Sequence, residues 1–171
     1  MRVVRRDPWG VTEVRDDPYR HVGDAEVFAP GEDVIVSLAR WRREASALRR
    51  RPGRTGIRVP GEADPAEVAA ALEGAALVAI EIPTFTDGRA YSTARLLRSR
   101  HGYAGELRAV GDVLRDQLLA LWRCGFDAFE LAGLLDEERA VEAFDDFSVR
   151  YQPDARGTPP IWRRRADAAE R

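Results

Sequence analysis

From Val34 onward, short apolar runs alternate with longer amphipathic stretches. Val34-Ile35-Val36-Ser37-Leu38 has the length and β-branched content of a strand. Arg40 to Arg50 then carries Trp41, Ala45 and Leu48 on one helical stripe and stops at Pro52-Gly53. A second strand, Gly56 to Pro60, leads to Asp64-Pro65-Ala66-Glu67, where a capping aspartate, a first-turn proline and an N3 glutamate start a helix running to about Leu72. The same alternation predicts strands over Leu77–Pro83, Glu106–Val110 and Phe126–Leu131. Helices are predicted over Tyr91–Arg100, Asp112–Arg123 and Asp136–Phe147. Consecutive strands joined by helices of this length imply right-handed crossovers and a parallel sheet, so the fold class is α/β with about five parallel strands.

The strands also carry a charge pattern. Arg58, Glu81, Arg108 and Glu130 stand near the C-terminal ends of four of them, alternating in sign, while their neighbours Ile57 and Val59, Ile80 and Ile82, Leu107 and Ala109, Phe129 and Leu131 are apolar. Because successive side chains point to opposite faces, helices pack on one face and charges line the other. A sheet covered on both faces would show continuous apolar runs, so the pattern predicts a partial barrel with helices outside. The four charges are expected to form a structural ladder of paired ions. The alternative is a polar basin where α/β proteins place ligands.

The first 32 residues mix apolar pairs with Asp7-Pro8, Asp17-Pro18 and Pro30-Gly31, predicting a hairpin or irregular arm ahead of the repeats at 33–152. Residues 153–171, rich in Pro and Arg, are expected to be a flexible tail. One domain spanning 1–152 suits a chain of 171 residues.

Composition narrows the chemistry. A net charge of −2 gives no overall attraction for nucleic acid. No run approaches the roughly 18 apolar residues that span a bilayer, and no apolar signal core follows Met1, so a cytoplasmic location without membrane association is expected. With one cysteine, Cys124, two histidines, His21 and His101, and no lysine, no metal site, disulfide or Schiff-base lysine is expected within the chain. No dinucleotide fingerprint or cluster motif is present, so no cofactor is expected. The densest polar stretch runs from Phe85 through Asp87-Gly88-Arg89 to Ser92 and into a helix. With Arg108, Asp112, Arg115 and Asp116 of the next unit, Asp87, Arg89 and Ser92 make a candidate binding site for a small oxyanion such as sulfite, sulfate or phosphate, with Arg89 as main contact. No residue is marked as catalytic.

These segments, Thr86-Asp87-Gly88-Arg89 with Ser92, Arg95 and Arg98, and Gly105-Glu106-Leu107-Arg108 with Gly111, Asp112, Asp116 and Gln117, resemble a bacterial family, domain of unknown function 934. Its members are often labelled oxidoreductases of sulfite reduction. The resemblance implies a link to assimilatory sulfur metabolism, with sulfite reductase or another sulfur-assimilation protein as partner, but no catalytic residues. Three readings stay open: an accessory protein of sulfite reduction, an enzyme with an oxyanion pocket at the strand ends, or a structural partner-binding module. A second copy of the chain is a further candidate to cover the charged face.

Overall fold

The computed structural model describes residues 2–7, 9–131, 137–147, 151–157 and 161–163. Its strands are β1 (Arg2–Arg6), β2 (Thr12–Asp16), β3 (Arg20–His21), β4 (Val34–Ser37), β5 (Thr55–Val59), β6 (Leu77–Ile82), β7 (Glu106–Gly111) and β8 (Ala128–Phe129). Helix α1 (Leu38–Leu48) follows β4, α2 (Pro65–Ala71) follows β5, α3 (Arg89–Ser99) follows β6, α4 (Leu118–Arg123) follows β7 and α5 (Glu137–Glu142) follows β8. They build one sheet in the order β2-β1-β8-β7-β6-β5-β4-β3. The five expected strands, β4 to β8, all pair in parallel, and the N-terminal arm supplies the rest. Hairpin β1–β2 adds antiparallel strands beside β8, while β3 pairs with β4 at the opposite edge.

That placement forces the sheet to curl. Laid flat, β2 and β3 would lie seven strand spacings apart, about 34 Å. Only residues 17–19 separate Asp16 from Arg20, and such a link spans about 14 Å at full extension. The curl brings His21 on β3 within 2.9 Å of Glu130 beyond β8. The result is a half-barrel strapped across its open side by Asp17-Pro18-Tyr19.

Outside the curve lies the main core. Val36, Ile57, Val59, Ile80, Ile82, Leu107 and Phe129 from the sheet meet Trp41, Val68, Leu97, Leu121 and Phe144 from the helices and the turn after α5. Trp41 is 1% exposed, with its indole N–H donating to the Ala71 carbonyl at 2.7 Å. The inner face holds a smaller cluster of Tyr19, Ile35, Leu77, Ala79 and Val110. Register places Arg58, Ala79 and Arg108 at one level of this inner face; Glu81, beside Val110, and Glu130 stand two residues further along their strands. All four expected charges therefore share the inner face.

Two local expectations change. The helix expected from Asp112 starts at Leu118, after a 3-10 turn over Arg115–Gln117. Gly111 turns the chain at φ 102°, the Asp112 carboxylate accepts from the Phe85 amide at 2.8 Å, and the Gln117 side chain takes the Leu114 amide, so capping groups are spent before a helix can begin at 112. Helix α3 starts at Arg89 rather than Tyr91, which puts Ser92 inside the helix on an exposed face.

The expected tail begins as an anchored segment. Asp154 is buried, and the Ala155 amide donates to the Arg123 carbonyl. Arg156 donates to the carbonyls of Trp122 and Phe126 and to Asp127, with its guanidinium over the Trp122 ring. Guanidinium bonding to main-chain carbonyls fixes a stretch whose apolar surface alone would not. Residues 158–160 and 164–171 of the expected tail lie outside the described residues.

Candidate functional site

At the C-terminal ends of the parallel strands the curl leaves a cavity of about 640 Å³. The parallel architecture gathers there the ends of β3, β5, β6 and β7, the loops after β5 and β6 and the segment after β8, as in other parallel α/β folds. Its polar lining comes from His21, Arg58, Glu62, Glu81, Arg89 and Glu130, and Pro60, Pro83 and Val110 make apolar wall.

The floor is a fixed ion network. Arg108, 1% exposed, donates from Nη1 to Glu130 at 3.0 Å and from Nη2 to Glu106 at 2.8 Å, and it also pairs with Asp17 of the strap. Tyr19 lies 5.3 Å from the same guanidinium. Burial by itself would lower the Arg108 pKa, but its bonds to Asp17 and Glu106 and the charges of both outweigh burial and raise it, so the guanidinium is permanently charged. Glu130 also receives His21 Nε2, at 2.9 and 3.1 Å from its two oxygens. A carboxylate can only accept, so Nε2 is the donor here, and Nδ1 is buried with no hydrogen-bond partner among the described residues.

Above the floor, Arg58 Nε forms an ion pair with Glu81 Oε1 at 3.1 Å. At the rim, Arg89 donates from Nε and Nη2 to Asp87 at 3.0 and 2.6 Å and lies 3.6 Å from Glu62. The Arg89 side-chain and backbone bonds hold the Asp87 carboxyl down to about 2.

The residues singled out in the sequence divide unevenly. Of the seven proposed for oxyanion binding, Arg89 lines the cavity and Asp87 holds it, while Arg108 is the buried centre of the floor network and is not part of the lining. Asp112 anchors the loop at Phe85, and Ser92 and Asp116 are exposed. Arg115 pairs with Asp146 at 3.0 Å and donates to the Arg139 carbonyl, on the side of α5. Arg89, Arg108 and Arg115 therefore do not meet at one point. The charges expected as a ladder form two separate pairs, Arg58–Glu81 and Arg108–Glu130, because Arg108 is saturated by Asp17, Glu106 and Glu130 and leaves nothing for Glu81. Three of those four, Arg58, Glu81 and Glu130, line the cavity.

His21 and Asp17 had no assigned role in the sequence. Their one available signal was the Asp17-Pro18 break directly after a strand-like stretch, which says that the chain turns but not where it goes. Among the described residues no group of three or more His, Cys, Asp or Glu side chains could hold a metal ion, and no helix is long and apolar enough to cross a membrane. Cys124, at the end of α4, lies away from the cavity lining, and burial pushes its thiol pKa up.

The family described as bacterial protein of unknown function, DUF934, matches residues 56–162. The chain belongs to this family. The DUF934 match takes in Arg58, Glu81, Arg89 and Glu130 of the cavity lining and Arg108 below it, and begins after the strap and His21. No curated protein and no solved structure matches the chain.

Proposed function

We propose that this protein binds a small polar metabolite in the cavity at the strand C-terminal ends, and that it does so in the bacterial cytoplasm as an accessory to sulfite reduction. The observation that carries the binding reading is the cavity itself: it is concave, open to solvent, walled by apolar side chains and floored by ion pairs whose geometry is locked from below. A partner-binding module needs no such enclosed polar basin, whereas pockets of this make-up are where proteins hold small ligands. The sulfur setting rests on the family resemblance.

Equilibrium dialysis of the purified protein against a metabolite extract, with mass spectrometry of what is retained, tests the first part. The wild-type chain is expected to retain a small molecule that the Arg58→Ala chain releases. Equal retention by both, or none by either, counts against the cavity as the ligand site. For the setting, deletion of the gene is expected to slow growth on sulfate or sulfite, with sulfide restoring it. Unimpaired growth on sulfite would remove the link to sulfite reduction while leaving the binding reading in place.

A further inference from the structure

The donors and acceptors that remain unused inside the cavity describe the ligand. Glu130 is taken up by His21 and Arg108. Arg89 is held by Asp87 and approached by Glu62. Arg58 differs: its Nε lies 3.1 Å from Glu81 Oε1 as an ion pair, and its guanidinium makes no hydrogen bond among the described residues, so both Nη nitrogens stay available, with the side chain 31% exposed. Glu81 likewise faces Arg58 through Oε1 and keeps Oε2, with its side chain 41% exposed. One wall thus presents a guanidinium fork and, next to it, a free carboxylate oxygen.

A guanidinium fork is complementary to a carboxylate, and a carboxylate edge to an ammonium. The lining as a whole sets two guanidiniums, Arg58 and Arg89, against three carboxylates, Glu62, Glu81 and Glu130. A free dianion such as sulfate would gain Arg58 and meet repulsion from the acids around it. A bare cation would be repelled by Arg58. A molecule bearing both charges a few ångströms apart satisfies each in turn and leaves the balance of the site unchanged.

We propose that the cavity takes a zwitterion of the amino-acid type, its carboxylate on the Arg58 Nη nitrogens and its ammonium on Glu81 Oε2. This rests on the cavity being the ligand site. It moves the main anion contact from Arg89, where the sequence put it, to Arg58. The apolar wall of Pro60, Pro83 and Val110 receives the ligand's side chain, and a volume of about 640 Å³ leaves room for one larger than alanine's.

Calorimetric titration at low salt tests the charge requirement, using free L-amino acids with small and with long apolar side chains, their N-acetyl derivatives, their amides, and sulfate and phosphate. At least one free amino acid is expected to bind saturably, and to lose about tenfold or more in affinity when either charge is removed. In the Glu81→Gln chain the N-acetylated form is expected to bind as well as the free one, and in the Arg58→Ala chain the amide as well as the free acid. Circular dichroism checks that both variants are folded. Sulfate or phosphate binding more tightly than every amino acid, equal binding of free and N-acetylated forms to the wild type, or no binding of any amino acid overturns the proposal. A non-zwitterionic compound retained in dialysis and released by Arg58→Ala would keep the cavity as the ligand site and reject only its ligand class. Nothing bound in either experiment would reject both.

Discussion

Replacing Arg108 with alanine is expected to destabilise the protein by about 3–5 kcal/mol, the range for breaking a buried ion pair and leaving its partners charged. The guanidinium is 1% exposed and is the shared partner of Asp17, Glu106 and Glu130. Without it, three carboxylates converge on an emptied space. Arg5 still reaches Glu106 at 2.8 Å and His21 still reaches Glu130, but Asp17, 4% exposed in its side chain, forms no other ion pair among the described residues. The strap is therefore the part expected to detach first, and Tyr19, which rests on the same guanidinium, loosens with it. Urea denaturation followed by tryptophan fluorescence measures the loss. Two further chains separate lost charge pairing from lost packing. Arg108→Met keeps most of the volume and should be nearly as unstable as alanine. Arg108→Met combined with Asp17→Asn and Glu106→Gln removes two of the stranded charges and should recover much of the difference. Arg115→Ala, whose partner Asp146 is also solvent-exposed, should leave the midpoint where it is. A wild-type midpoint in Arg108→Ala would mean that the network adds nothing to folding.

The second large effect is expected at Gly111. Its φ of 102° lies where L-residues are strained, and a Cβ there would sit 2.5 Å from the Ile82 carbonyl oxygen. That carbonyl cannot retreat freely, because it accepts the Asp112 amide at 2.8 Å across the β6–β7 pair. Gly111→Ala is therefore expected to lose about 2–4 kcal/mol, from backbone strain plus displacement of a paired strand. Gly102 offers the comparison: it also has positive φ, at 62°, but open space around it, so Gly102→Ala should lose only about 1 kcal/mol. Since Gly111 stands at the cavity, its substitution should also weaken whatever binds there. Denaturation midpoints of the two variants side by side decide the matter. Equal losses would show that φ alone governs both sites and that the contact with Ile82 carries no weight.

The parallel strands, the helix-covered face and the common face of Arg58, Glu81, Arg108 and Glu130 were all legible in the chain, because each rests on a local period. Alternation of side chains along a strand is decided within a few residues, and any lateral pairing that preserves the pleat keeps those four together. The start of α4 was misjudged for an equally local reason: Asp112 has the right chemistry to cap a helix, but the Phe85 amide, 27 residues earlier, competes for its carboxylate and wins. What no period encodes is the curl. His21 meets Glu130 across 109 residues, and Arg108 meets Asp17 across 91, only because β3 and the β1–β2 hairpin join opposite edges of one sheet and a three-residue strap pulls those edges together. That closure turned a row of charges into two separate pairs and opened a cavity above them. It also sent Arg115 to the side of α5, away from Arg89. Local periodicity along the chain sets which side chains face inward; which of them meet depends on distances across the sheet that only the closed arrangement of all eight strands sets.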